Sequence, residues 1–174
     1  MFIDVDNDDD LDLYVVSGGN EFDENSPMLQ DRLYINDGNG NFNKESNRLP
    51  KMITSGYAVT KGDYDRDGDL DIFVGGRIIP GKYPLAPTSY LLENKNGFFQ
   101  DITKTKSVDL QKVGLITDAL FSDYDNDNDL DLLVVGEWMS PTVFINNGNS
   151  FDAKKLTDQV SNGWWYSISS DDFN

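Results

Sequence analysis

Neither cysteine nor histidine occurs in this 174-residue chain. Their absence excludes disulfides, thiolate chemistry, any serine–histidine or cysteine–histidine pair, and the usual zinc and iron ligand sets. It does not fix a cellular compartment. Cationic charge is scarce: 14 Lys and Arg stand against 31 Asp and Glu, a formal net charge of −17. Such a surface repels nucleic acid and anionic membranes, so partners are expected to be neutral or basic. Long apolar runs are missing too, and without about 18 consecutive apolar residues no segment reads as a membrane-spanning helix. Helical periodicity is also lacking, apart from "TKTKSVDLQKVG", which has the makings of a helical turn.

What is present is acid in a strict rhythm. Residues 4–13 read "DVDNDDDLDL", 63–72 "DYDRDGDLDI" and 123–132 "DYDNDNDLDL". Aspartate fills positions one, three, five, seven and nine of each loop: Asp4, Asp6, Asp8, Asp10 and Asp12; Asp63, Asp65, Asp67, Asp69 and Asp71; Asp123, Asp125, Asp127, Asp129 and Asp131. A single acidic run is most often a solvated turn, but three in one spacing mark an internal repeat.

Each loop leads into a β-branched run ("LYVVSGG", "IFVGG", "LLVVGE"), then a second strand ending in Asn and a polar turn ("YINDGNGNF", "LLENKNGFF", "VFINNGNSF"). The Asn-Gly and Asp-Gly steps favour the positive φ of hairpin turns. An apolar strand precedes the second and third loops, which gives about four strands per repeat. The boundaries read as a repeat over 1–54 that lacks most of its first strand, repeats over 55–113 and 114–162, and the first strand of a further repeat over 163–174. The fold class is all-β, as β-propeller blades of four antiparallel strands.

Crowded carboxylates need a cation among them. Many short oxygen ligands at irregular angles suit Ca²⁺ better than Mg²⁺, which holds a strict octahedron and keeps its waters. An EF-hand would place Glu at position twelve between helices, whereas that position is Val15, Val74 and Val134. The closing ligand is instead expected at position nine (Asp12, Asp71, Asp131), with position seven offering its carbonyl and turning its side chain outward. Position six, which must bend with φ above zero, is Asp9, Gly68 or Asn128, the residue types that tolerate it.

The loops resemble the D-x-D-x-D-G-x-x-D-L pattern of FG-GAP or VCBS-type repeats, found in integrin-α-like β-propellers; Asp9 and Asn128 depart from its glycine. The resemblance implies about three Ca²⁺ sites and an exported, bacterial-type protein at the cell surface or outside the cell. Propellers of that family have about seven blades, so the chain is expected to be a fragment that packs against remaining blades. "MFIDVD" enters a loop after three residues, which places the expected start, with an export signal, upstream.

Alternating strands put the acidic loops and Asn-Gly turns at one end of the blades and the other connections at the opposite end. That opposite end displays Arg77, Lys82, Tyr83, Glu137 and Trp138, of which Arg77, Tyr83 and Trp138 are candidate ligand-binding residues. Two readings stand for Tyr83 and Trp138: packing between blades, or contact with a protein or carbohydrate ligand. Trp164 and Trp165 are adjacent, so strand alternation sends at least one into a core. No acid–base pair is unique to one repeat, so the chain is expected not to be an enzyme, with extracellular binding, adhesion or scaffolding as its role. The alternative is the propeller domain of a secreted polysaccharide lyase or hydrolase.

Overall fold

The computed structural model describes residues 1–156 and 162–171. Strands β1 (Phe2–Ile3), β2 (Asp12–Val15), β3 (Arg32–Asn36) and β4 (Phe42–Glu45) form one antiparallel sheet in chain order. Strands β5 (Ser55–Gly62), β6 (Asp71–Ile78), β7 (Tyr90–Lys95) and β8 (Phe98–Asp101) form a second on the same plan. In the third, β9 (Leu115–Ser122), β10 (Asp131–Met139), β11 (Thr142–Asn146) and β12 (Phe151–Lys155) repeat the order, and β13 (Gly163–Trp164) adds to the far end of β10. The protein is thus nearly all β, with blade-like sheets that fit a propeller fragment and do not close into a ring. Among the described residues, helix is confined to α1 (Thr103–Lys106) and the 3₁₀ turns Pro27–Leu29 and Asp109–Lys112. The second of these turns lies in the segment expected to form one, and the first carries no helical period to read.

Each acidic loop joins the first strand of a sheet to the second. The second strand of the middle sheet, β6, is buried on both faces because a sheet packs on either side of it. In β6, Ile72 and Val74 enter a core with Ile3, Val5, Tyr14 and Met52, whereas Phe73 enters one with Ile116, Leu132 and Phe144. Two cores therefore fill two seams, each made of residues from adjacent sheets. Burial of a Leu, Ile or Phe contributes roughly 1.5–3 kcal/mol, so these seams hold the array together. Backbone approach is close in the second seam: a Cβ on Gly75 would lie 2.5 Å from Ile116 Cγ2.

One backbone contact recurs. Gly56 N–H donates to Ser17 carbonyl at 2.9 Å, and Trp165 N–H donates to Gly136 carbonyl at 3.1 Å, with Ser17 and Gly136 equally far from their loops. The chain after β13 thus lies against the third sheet as β5 lies against the first; residues 172–174 of that segment are outside the described residues. The expectation of a buried tryptophan fails here: Trp164 is 54% and Trp165 39% exposed. Strand alternation governs only paired residues, and β13 ends at Trp164, so Trp165 follows no alternation.

Candidate metal centres and the opposite face

All three loops close by the same bonds. The position-one carboxylate accepts from backbone N–H groups across the loop: Asp4 from Asp8 and Asp9, Asp63 from Gly68, Asp123 from Asp127 and Asn128. The chain can turn this tightly because position six takes positive φ (Asp9 68°, Gly68 94°, Asn128 72°), as the residue types foretold. Position four does so as well (Asn7 57°, Arg66 60°, Asn126 61°), which the sequence reading did not anticipate.

The turns bring carboxylate oxygens together. One oxygen from each of Asp4, Asp6 and Asp8 lies within 4.8 Å of the others, and the same holds for Asp63, Asp65 and Asp71 and for Asp123, Asp125 and Asp127. Oxygens that share a Ca²⁺ at 2.3–2.6 Å are at most about 5 Å apart, so each trio can share one ion. Asp6 Oδ1 and Asp63 Oδ1 are shielded from solvent and have no hydrogen-bond partner. A shielded carboxylate oxygen with no donor costs free energy, and a hard cation is the group that would satisfy it. The residues present therefore fit calcium.

Position nine does more than close the loop. Asp12, Asp71 and Asp131 are fully buried, each accepting from the position-two N–H (Val5 3.0 Å, Tyr64 3.3 Å, Tyr124 2.9 Å) with one oxygen. The other oxygen accepts from the N–H of the Asn at the end of the third strand (Asn36 2.8 Å, Asn94 2.8 Å) or, for Asn146, at 2.7 Å. Burial pushes the Asp71 carboxyl up to about 8, opposed by the Asn94 and Tyr64 N–H bonds and reinforced by the Asp65 and Asp67 charges. Asp12 and Asp131 are raised by burial too, against the N–H bonds of Asn36 and Val5 and of Asn146 and Tyr124.

The position-seven side chains of the second and third loops turn out of their own loops and onto neighbours. Asp69 accepts from Asn96 N–H at 2.8 Å and from the Asn7 amide of the preceding loop at 2.7 Å. Arg66 repeats the link one loop on, pairing with Asp129 at 2.8 Å and donating to the Asn128 carbonyl. Neighbouring loops are therefore tied, position four to position seven. Sequence reading also passed over the strand-end asparagines, taking them as turn formers. Asn94 Nδ2 donates to Val5 carbonyl at 2.9 Å and Asn146 Nδ2 to Tyr64 carbonyl at 2.8 Å, each crossing a seam. Their recurrence after each apolar strand was the signal available.

A buried acid outside the loops went unread as well. Asp31 accepts from Tyr14 hydroxyl and Ser17 N–H, both at 2.6 Å, beside a cavity of about 490 Å³ lined also by Val16, Phe22, Arg32 and Lys44. Burial raises its carboxyl to about 6 despite those bonds and Arg32.

At the opposite end the structure gathers Arg77, Tyr83 and Trp138. Arg77 Nη2 lies 2.5 Å from Glu137 Oε1, Tyr83 hydroxyl donates to Glu137 Oε2 at 3.2 Å, and Trp138 Nε1 donates to Tyr83 hydroxyl at 2.7 Å. Lys82 stands apart, pairing with Glu24 at 2.6 Å.

Blade-like sheets whose first two strands are joined by acidic loops of one spacing define a β-propeller-like repeat as the class. Residues 4–74, which span the first two loops, match the family model of the FG-GAP-like repeat. The match covers the first two loops, and the third loop follows the same spacing. No curated protein matches it.

Proposed function

We propose that the chain is a calcium-stabilised, non-catalytic recognition module, exported to the cell exterior, whose loops bind Ca²⁺ and whose opposite end binds a glycan or protein. The observation that carries this reading is the shielded, partnerless Asp6 Oδ1 and Asp63 Oδ1 within clustered carboxylates. Positions one and three of each loop supply side-chain oxygens, joined by position five in the first and third loops and by Asp71 in the second. The ions neutralise like charges that otherwise repel across a few ångströms. Because the loops are occupied with calcium and with closing the sheets, recognition falls to the other end.

The experiment is a thermal melt with calcium and with a chelator. At a free calcium of ~100 Kd each site adds about 2.7 kcal/mol to the native state, so the midpoint should rise clearly with calcium. An unchanged midpoint would refute the metal reading.

A further inference from the structure

We propose that Tyr83, Trp138 and Trp164, with Arg77 and Glu137 beside them, form a binding corner for a neutral saccharide chain. This deepens the recognition reading and rests on it.

The corner is peculiar to one place in a repetitive fold. Gly18, Arg77 and Glu137 hold the same position relative to their loops, and the next residues are Gly19, Ile78 and Trp138. Across the first seam that position is filled by backbone and a small hydroxyl, with Gly19 N–H donating to Ser55 Oγ at 2.9 Å. Across the last it is filled by Trp138 against Trp164, ring centroids 5.6 Å apart and planes at 81°. All three tryptophans of the chain, Trp138, Trp164 and Trp165, lie in this part of the molecule.

The rings are held but not covered. Tyr83 is 49% and Trp138 54% exposed. Trp138 sits at φ 60°, in the strand irregularity between Glu137 and Met139. A bulky residue in that left-handed region is strained, and an exposed indole recovers little of the cost through burial. The hydrogen-bonded series from Trp138 through Tyr83 to Glu137 and Arg77 fixes the ring orientations in advance, which reduces the entropy lost on binding.

The layout selects the ligand. A protein contact has an apolar centre and a polar rim. Here an ion pair ends the series of exposed rings: Glu137, 7% exposed, accepts from Tyr83, and the partly exposed Arg77 guanidinium pairs with it. A pyranose offers the complement, a C–H face for an indole and hydroxyls for the Tyr83 hydroxyl and the exposed edge of the Arg77 guanidinium. The pair cancels its own charge, so the corner offers no net attraction to an acidic sugar, and the chain's charge of −17 opposes one.

The test is affinity electrophoresis of the calcium-loaded chain in gels containing laminarin, xylan, mannan or amylopectin, with alginate and polygalacturonate as anionic counterparts. Tryptophan emission, which reads this part of the molecule alone, is followed in solution. At least one neutral polysaccharide should retard the protein and shift its emission, and the anionic ones should do neither. Trp138→Gly, which removes the ring and suits the positive φ, should weaken retardation about tenfold or more, equivalent to ~1.4 kcal/mol. It should not lower the melting midpoint and should leave the calcium titration unchanged, and Phe98→Ala at the metal-loop end should leave retardation unchanged. No retardation by any neutral polysaccharide, equal retardation by anionic ones, or full retardation of Trp138→Gly each overturns the proposal. Failure of the calcium reading is separate: it shows as a midpoint indifferent to chelator.

Discussion

The side-chain amide of Asn94 donates to the carbonyl of Val5 across the first seam, tying the end of a strand in one sheet to position two of the neighbouring acidic loop. Its Oδ1 meanwhile accepts from Gly97 N–H at 2.9 Å. Asn146 makes the same pair of contacts one sheet on, to Tyr64 carbonyl and Gly148 N–H. A single residue type thus holds the hairpin turn and the next loop at once.

Asn94→Ala is therefore expected to leave a buried carbonyl and a buried N–H without partners, costing about 2–4 kcal/mol in urea unfolding. Asn146→Ala should behave alike. Asn36, whose Nδ2 reaches only Leu11 carbonyl of its own loop at 3.3 Å, should cost less than about 1 kcal/mol when changed to Ala. Equal losses at all three positions would deny the seam role.

Within the second loop, Asp63 and Asp69 should separate in calcium affinity. Asp63 Oδ1 is shielded and partnerless, whereas both Asp69 oxygens already accept from Asn7 and Asn96. Asp63→Asn is expected to weaken calcium at that loop by about tenfold or more, ~1.4 kcal/mol, and Asp69→Asn by much less. Calorimetric titration of the two variants decides it, since a diffuse acidic patch would treat them alike.

Asp31 sets a pH dependence outside the loops. Its folded carboxyl lies at about 6, above the ~3.9 of an unfolded aspartate, so the native state holds the extra proton in between. Its contribution is then fully present below about pH 4 and is lost as pH rises through about 6, amounting to roughly 2–3 kcal/mol. Asp31→Asn cannot titrate, so the stability difference between wild type and variant, in saturating calcium, should shrink in wild type's disfavour from pH 4 to 7. A difference flat across that window would contradict the assignment.

Gly75→Ala should destabilise the second seam, because the added methyl meets Ile116 Cγ2 at 2.5 Å and Ile116 Cβ at 2.7 Å. Overpacking of this kind costs about 1–3 kcal/mol. A companion Ile116→Val should recover part of the loss in chemical denaturation, and no recovery would place the strain elsewhere.

The amino-acid sequence alone determined the repeat, the strand order within each sheet and the positive φ at Asp9, Gly68 and Asn128. These are local: period-two apolar runs, Asn-Gly turns and short acids at fixed spacing act within a few residues of chain. It also named Arg77, Tyr83 and Trp138 as neighbours at one end, because alternating strands fix which connections share an end. Only the tertiary structure decided what lies across a seam. Asn94 meets Val5, Arg66 meets Asp129 and Asp31 meets Tyr14 through packing of distant segments, and no periodicity encodes such pairs. The two adjacent tryptophans show the limit most clearly: alternation would assign a face to each, but the strand ends at Trp164, and where a strand ends and what packs on it are decided only by sheet meeting sheet.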